Sequence, residues 1–401
     1  MLERLHKNRF RNLIISTGLV LAAFCPATVA AKPARDASGR FRPSIAADRL
    51  VEILNAVENS NAPNLIGKRK WRKLIFEHGP GIVASRSHAD FARSLNEMFH
   101  AGGVSHFHYL MDEEWAYWHI VSVFGRQGRS AEVDHAGIYP ERIDGRWFVR
   151  GVLEGSPAVD ADIMVGDELI AVDGEPYAPI ASWRGKAGRK VTLTLARREG
   201  ERFDTIVVPV HESLGKAVRR AMVESVRVIE HDGLRFAYAH VWMLMGEGPM
   251  YRKLLALQDE VDGLLLDYRD GVGGTPGPAQ RFLLGKRSSS RVWTKPTVIL
   301  IADGTRSAKE MILDAVRKAD RAPLVGTPTP GAVTAVGGMV HVGTDGFLII
   351  PGFKFPIEGK PTHPDHLIER TIPHLAGADP QLDFAKDLAA ELALAGVAIG
   401  E

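Results

Sequence analysis

The stretch Thr297-Val-Ile-Leu-Ile-Ala-Asp-Gly-Thr-Arg-Ser307-Ala-Lys-Glu310 decides how the chain is read. Its opening residues are apolar or β-branched without a break, the pattern of a strand buried on both faces. Gly304 then marks a turn. From Ala308 to Val316, the residues Met311, Ile312, Ala315 and Val316 gather on one side of a helix. Strand, turn and helix in that order are the unit of a layered α/β core. The serine stands where the helix begins. There the backbone N–H groups lack intrahelical partners and the helix dipole is positive, so an oxyanion forming beside the hydroxyl would be stabilised. The plain alternative is an N-cap serine, a common role, and this stretch alone favours it.

A second buried strand lies upstream, in Asp262-Gly-Leu-Leu-Leu-Asp267-Tyr-Arg269-Asp-Gly271-Val-Gly273-Gly274. It ends in an Asp-x-Arg pair and a Gly-rich loop, whose bare backbone can approach a ligand closely. No Gly-Lys-Ser/Thr follows, which argues against a phosphate-binding P-loop. Residues 222–395 as a whole read as an α/β core. Residues 134–211 differ. The runs Trp147–Val152, Glu168–Val172, Val191–Ala196 and Thr205–Val210 are β-rich and separated by Gly, Pro and Asp, as in a small β module. Residues 44–125 are expected to form a helical N-terminal domain. Ile45, Leu50, Ile53, Leu54 and Val57 recur at helical spacing, and so do Phe91, Leu95 and Met98.

A third segment ends in Ser105-His106-Phe-His108-Tyr109-Leu110. In an extended chain His106 and His108 share a face and could hold a metal. Two histidines with neither cysteine nor an obvious third ligand are a weak signal. His100, His240, His363 and His366 read as ordinary surface or core residues. The basic run Lys68-Arg69-Lys70-Trp71-Arg72-Lys73 reads as a solvated helix face, being one short run on a nearly neutral protein.

The 401 residues carry 50 Lys and Arg against 48 Asp and Glu. This balance argues against a dedicated nucleic-acid binder. One cysteine excludes a disulfide framework and a thiolate-rich metal site. Residues 1–31 have the parts of a secretory signal peptide: Arg4, Lys7, Arg9 and Arg11, the apolar run Leu13–Phe24, and small residues from Ala27 to Ala31. Cys25 follows the bulky Phe24, which is unfavourable for lipid attachment. The expectation is an exported protein, periplasmic or extracellular, with no stable membrane span once the signal is removed. Removal takes the lone cysteine with it, so a nucleophile in the mature chain would be a serine rather than a thiol.

Together these segments resemble a family. From about Ser44 to Glu391 the chain is similar to the C-terminal processing (tail-specific) serine peptidases. Gly151-Val-Leu-Glu-Gly-Ser-Pro-Ala158, followed by Val165-Gly-Asp-Glu-Leu-Ile-Ala-Val-Asp-Gly174, matches their PDZ pattern. Asp267–Gly274 matches their "DLRxNxGG" loop, and Gly359-Lys-Pro-Thr-His-Pro-Asp365 their "GxGxxPD" signature. In the branch with a Ser–Lys dyad, the serine falls on Ser307 but the lysine position is Ala332. Lys309, two residues along a helix from Ser307, is expected to point away from it. The tricorn-like branch uses a histidine in an "SH(T/A)" motif, matched by Ser105-His106, and a glutamate before the last signature, matched by Glu358.

The resemblance implies an α/β fold with a crotonase/ClpP-like layered core, a helical N-terminal region and an inserted PDZ domain at 134–211. It also implies a serine endopeptidase that cleaves polypeptides by acyl-enzyme chemistry. Ser307 would attack the scissile carbonyl and His106 would take its proton. Ser105 and Glu358 would orient the histidine, and the N–H groups of Ala308 and of Gly273 or Gly274 would form the oxyanion hole. Gly137-Ile138-Tyr139 would be the peptide-binding PDZ loop, with tyrosine replacing the usual second glycine. No cofactor and no metal are implied. The expected partner is a polypeptide substrate, not nucleic acid, and a homo-oligomer is left open. The competing reading is a catalytically inactive relative, acting as a peptide-binding scaffold or apolar-ligand carrier.

Overall fold

The computed structural model describes residues 41, 43–125, 131–286, 289 and 291–396. The expected signal segment, residues 1–31 with Cys25, lies outside the described residues. The described residues open with four helices: α1 (Pro43–Glu58), α2 (Ala62–Ile66), α3 (Lys68–Val83) and α4 (His88–Ala101). Strand β1 (His108–Met111) and helix α5 (Trp115–Phe124) follow. Ile53, Val57, Trp71, Phe91, Leu95 and Phe99 bury the inner faces of the helices. They do not close on themselves. Their core includes Tyr109, Val342, Leu348 and Ile350, from a three-stranded sheet built with residues far down the chain.

Next comes a β-rich module: β2 (Glu132–His135), β3 (Ile138–Ile143), β4 (Arg146–Val152), α6 (Pro157–Asp160), β5 (Glu168–Val172), β6 (Glu175–Pro176), β7 (Val191–Arg198), β8 (Glu201–Val207) and β9 (Val210–Ser213). β3, β4, β5, β7 and β8 form an antiparallel sheet around Ile138, Val149, Leu169, Val172, Leu193 and Leu195. β2 and β9 pair with each other as the stalk of the module.

The remainder is α7 (Leu214–Glu224), β10 (Arg227–His231), β11 (Leu234–His240), α8 (Gly248–Leu257), β12 (Gly263–Asp267), α9 (Gly277–Leu284), β13 (Thr297–Ile301), α10 (Ala308–Lys318), β14 (Leu324–Gly326), β15 (Thr334–Val342), β16 (Gly346–Lys354), β17 (His366–Leu367) and α11 (Pro380–Leu394). The main sheet has the order β10-β11-β12-β13-β14-β17, parallel from β11 onward. Its central strands are buried on both faces, which is why they read as unbroken apolar runs. Leu264, Leu266, Ile299 and Ile301 face a layer that includes Met222, Leu254, Phe282 and Ile312. Leu265, Val298 and Leu300 face Ala385, Ala389 and Ala390 of α11. The fold is a mixed α/β protein with a helical N-terminal region and several sheets.

The second sheet, β1-β16-β15, brings the ends together. His108 to Met111 pair antiparallel with Ile349 to Gly346, so the segment just before β1 lies beside the chain that enters β15 at Thr334. Among the described residues no helix is long and apolar enough to cross a membrane.

Candidate active site

Ser307 is the residue before α10 and has φ 64° and ψ −126°. An ordinary N-cap is extended, and a positive φ is uncommon for any residue but glycine. The turn that produces it is fixed from several sides. Thr305 is fully buried, its hydroxyl donates to Tyr268 O at 2.9 Å, and it accepts from Ala302 N–H at 2.9 Å. The Ser307 N–H lies 3.0 Å from Ala332 O and 3.1 Å from Glu310 Oε2. Such strain costs about 1–3 kcal/mol and persists only where the surroundings over-determine it.

The Gly-rich loop packs directly on this serine. A Cβ on Gly273 would lie 2.5 Å from Ser307 Cβ, 2.8 Å from its Oγ and 3.0 Å from Ala308 N. Gly273 O accepts from Leu244 N–H at 2.9 Å, which holds the loop. Among the described residues, neither Gly273 N–H nor Ala308 N–H has a backbone acceptor. Gly274, at φ 140°, sits against Leu244 O instead, where a Cβ would come within 2.4 Å. Of the two glycines, Gly273 is the one that touches Ser307.

The Asp-x-Arg pair that precedes the loop is a clamp. Arg269 Nε donates to Asp267 Oδ1 at 2.9 Å, and its two terminal nitrogens reach Asp379 at 2.7 and 2.8 Å. Tyr238 adds a hydroxyl to Asp267 at 3.0 Å. Burial opposes ionisation of Asp267, but the guanidinium outweighs it and holds the carboxyl below its ordinary range. Asp379, the N-cap of α11, and Gln381 complete the clamp. Neither was singled out from the sequence.

His106 comes from the turn before β1, with φ 57°. Its Nδ1 is 3.1 Å from Ser105 Oγ. Ser105 Oγ lies 3.0 Å from Glu358 Oε2, and the Ser105 N–H donates to Oε1 at 3.0 Å. Thr334 N–H donates to the same Ser105 oxygen at 3.1 Å. These contacts fix the proton positions. Partial burial opposes ionisation of Glu358, but the donors around it, from Ser105 and Val333, keep its pKa below the ordinary value. An ionised carboxylate only accepts, so Ser105 gives it its one proton and must accept from the other two neighbours. His106 therefore carries its proton on Nδ1, and Nε2 presents a lone pair. Burial first and the Arg306 charge second push the His106 pKa down to about 4, with Glu358 opposing.

The segment 332–334 ties the two halves together residue by residue. Ala332 O accepts from Ser307, Val333 N–H donates to Glu358 at 2.5 Å, and Thr334 N–H donates to Ser105. Glu310 anchors this segment from below. Its carboxylate accepts from Thr329 Oγ1 at 2.6 Å, Gly331 N–H at 2.7 Å and Ala332 N–H at 2.8 Å, besides Ser307. The capping spacing, a serine followed three residues later by Glu, was the signal in the sequence that could have found it. Among the described residues no hydrogen bond joins His106 Nε2 to Ser307 Oγ; the two are brought together through this shared segment.

Lys309 points away from Ser307, as its helical spacing requires. It is fully buried, with Nζ on the main-chain oxygens of Tyr268, at 3.4 Å, and Asp270. Burial lowers its pKa to about 7, against the pull of Asp270 and Asp267. Asp270 and Asp303, which flank the two halves of the site, share one guanidinium. Arg150, on β4 of the module, reaches Asp270 Oδ1 at 2.6 Å and Asp303 Oδ1 at 2.5 Å. Gly137 has φ 84°, and a Cβ there would meet Ser156 Cβ at 2.2 Å. Ile138 lies in the module core. The Tyr139 ring packs on Trp115 at 4.7 Å and Trp242 at 5.9 Å, between the module and the rest of the chain. His108 is exposed and makes a 3.4 Å contact with Asn96 Nδ2. A grouping with metal-ligand spacing occurs elsewhere, at His231, Asp232 and Asp387, where the exposed Asp387 Oδ1 accepts from His231 Nε2 at 2.7 Å.

The description of peptidase family S41 matches residues 276–355, a span that starts just after the Gly-rich loop and contains Ser307. This match, with the relative that follows, supports a peptidase of the S41 kind. The carboxy-terminal processing protease CtpA of Bacillus subtilis (strain 168) is 25% identical over 232 residues, covering 51% of this chain and 48% of that protein. The chain thus spans about half the length of that relative. Among solved structures, the tricorn protease overlays with a TM-score of 0.48 at 19% identity, covering 81% of this chain and 34% of that chain. The photosystem II D1 C-terminal processing protease overlays with a TM-score of 0.45 at 16% identity, covering 80% and 98%.

Proposed function

We propose that this chain is an exported serine endopeptidase that cleaves polypeptides through an acyl-enzyme. Its core is of the crotonase/ClpP-like kind, and residues 134–211 are a PDZ domain that recruits or gates substrate. Ser307 is the nucleophile. His106 Nε2 takes its proton on attack and returns it to the leaving amine. Ser105 and Glu358 hold the histidine in the required tautomer and stabilise it once protonated. The N–H groups of Gly273 and Ala308 receive the oxyanion.

One observation carries this reading: the hydrogen-bond order Glu358–Ser105–His106, which leaves Nε2 as a free lone pair, together with the 332–334 segment bound to both Ser105 and Ser307. An N-cap role alone explains neither the positive φ of Ser307 nor the fit of Gly273 against it. The route from module to site is Arg150, whose guanidinium spans Asp270 and Asp303. The second reading, an inactive relative that binds peptides or apolar ligands, is favoured by the absent His106–Ser307 hydrogen bond; such bonds often tighten only with substrate in place. Hydrolysis of an unfolded polypeptide by the chain and by Ser307→Ala separates the two. Cleavage lost in the variant with binding retained supports the peptidase. No cleavage by either, with equal peptide binding, supports the carrier.

A further inference from the structure

The basic run 68–73 belongs to α3, and the site does not use it. The helix buries Trp71, Leu74 and Ile82 against the N-terminal core, and Trp71 Nε1 is fixed to Glu58 at 2.6 Å. This anchoring turns the opposite face outward. Arg69, Arg72, Lys73 and Phe76 are exposed there, at i, i+3, i+4 and i+7, the spacing of one helical stripe. Phe76 is 83% exposed. A lone exposed apolar residue needs no explanation, but this one ends a helical stripe whose preceding turns carry Arg69, Arg72 and Lys73, with Glu77 next to it. Arg69 and Arg72 have no ion pair among the described residues, and Lys73 has only a 3.6 Å contact with Glu77, in which both side chains are open to solvent. Lys70 is partly spent, donating to Gly102 O at 3.1 Å.

The first turn of α3 contains no acidic residue, and Gly67 before it offers no side-chain cap. Beside it lies an open depression of about 550 Å³ lined by Gly67, Lys68, Arg69, Lys70 and Lys73. Five cations within six residues contrast with a whole chain of net charge +2. We propose that this face of α3 docks the protein on an anionic phospholipid surface, with headgroup phosphates at the basic depression and the Phe76 ring inserted at the acyl boundary. Charge complementarity names the occupant, and the phenyl ring chooses lipid over a soluble polyanion. A ring at the end of a basic helical stripe fits the layered interface of a bilayer, charged outside and apolar within. The run rises only about 9 Å along its axis at 1.5 Å per residue, short for a nucleic-acid track. The proposal does not rest on peptidase activity.

The test is flotation of the full chain with vesicles of phosphatidylglycerol and phosphatidylcholine, and with vesicles of phosphatidylcholine alone. The variants are Arg69→Ala with Arg72→Ala, and separately Phe76→Ser; all three positions are exposed, and circular dichroism checks the fold. Binding is expected only to the anionic vesicles. It should fall about fivefold for each cation removed, fall at least as far in Phe76→Ser, and weaken in 0.5 M salt. Binding that persists in both variants belongs to another segment, such as residues 13–24, and overturns the proposal. Absence of binding to anionic vesicles overturns it as well. So does retention on heparin or single-stranded DNA stronger than on vesicles and indifferent to Phe76, which makes the patch a polyanion site.

Discussion

Replacing Gly273 with alanine puts one methyl group where the site has no room for it. The added carbon would stand 2.5 Å from Ser307 Cβ and 2.8 Å from Oγ. Carbon atoms in contact prefer about 3.5–4.0 Å, so loop and serine must separate by about 1 Å. Neither yields easily. Ser307 N–H is bound to Ala332 O and Glu310, and Gly273 O to Leu244 N–H. Gly273 does not have a positive φ, so alanine suits its backbone and the effect comes from the collision alone. A 1 Å displacement of reacting groups costs about 10²-fold in rate, and a lost oxyanion donor about 10²–10³-fold. The expected outcome for Gly273→Ala is a fall in kcat/KM of about 10²–10⁴, with a stability loss of about 1–3 kcal/mol from overpacking. Initial rates on an unfolded polypeptide and the rate of labelling by a serine-directed phosphonate measure the first quantity, and a thermal melt the second. Gly81→Ala is the control: nothing lies within 4 Å of its added carbon, and its rates should match the wild type. A folded Gly273→Ala protein that labels within threefold of the wild-type rate would refute the geometry.

Ser105→Ala removes the acceptor that holds the proton on His106 Nδ1. It should lower kcat by about 10²-fold or more with KM little changed, as expected when the tautomer rather than binding is lost; steady-state kinetics decides. Burial and the Arg306 cation hold the His106 pKa near 4, and protonation at Nε2 blocks the base. Activity should therefore persist below the ordinary histidine pKa and fail as pH drops through the folded value. In Arg306→Ala, the acid limb of kcat/KM should move up toward about 6.5. The same shift has a stability sign: folded His106 binds a proton less readily than unfolded, so its contribution is present above about 6.5 and lost as pH falls toward 4. Arg150→Ala leaves the buried Asp270 without its partner and should cost about 3–5 kcal/mol, read as a lower melting temperature. A melt unchanged from wild type would mean that the module is not tied to the site through this residue.

The central strands were legible because burial on both faces writes an unbroken apolar run. The buried strands expected within Asp262–Gly274 and at the start of Thr297–Glu310 are β12 and β13, and the helix after Ser307 begins at Ala308 as expected. The module runs were read nearly as well, except that Thr205–Val210 is divided between β8 and β9, at Pro209. Proline lacks the donor a strand interior needs. The pairing of β1 with β16 could not be read, because register between strands more than 230 residues apart leaves no local pattern. That pairing is what sets His106 beside the 332–334 segment. Ser105, His106, Ser307 and Glu358 were named through family resemblance, whereas Glu310, Thr305 and Asp379 were not named. Their work is to hold backbone, and a side chain bonded to distant main-chain groups has no signature in sequence beyond its polarity. The Tyr139 substitution was visible, but not the Trp115–Tyr139–Trp242 packing that gives the ring its place.

Ser307 as a nucleophile activated by His106 is tested most directly by mass spectrometry of the chain after reaction with a fluorophosphonate, in the wild type and in His106→Ala. One adduct, located on Ser307 by peptide mapping and reduced at least a hundredfold in rate in His106→Ala, is the expected result. No adduct on Ser307, or an adduct formed equally fast without the histidine, would contradict it.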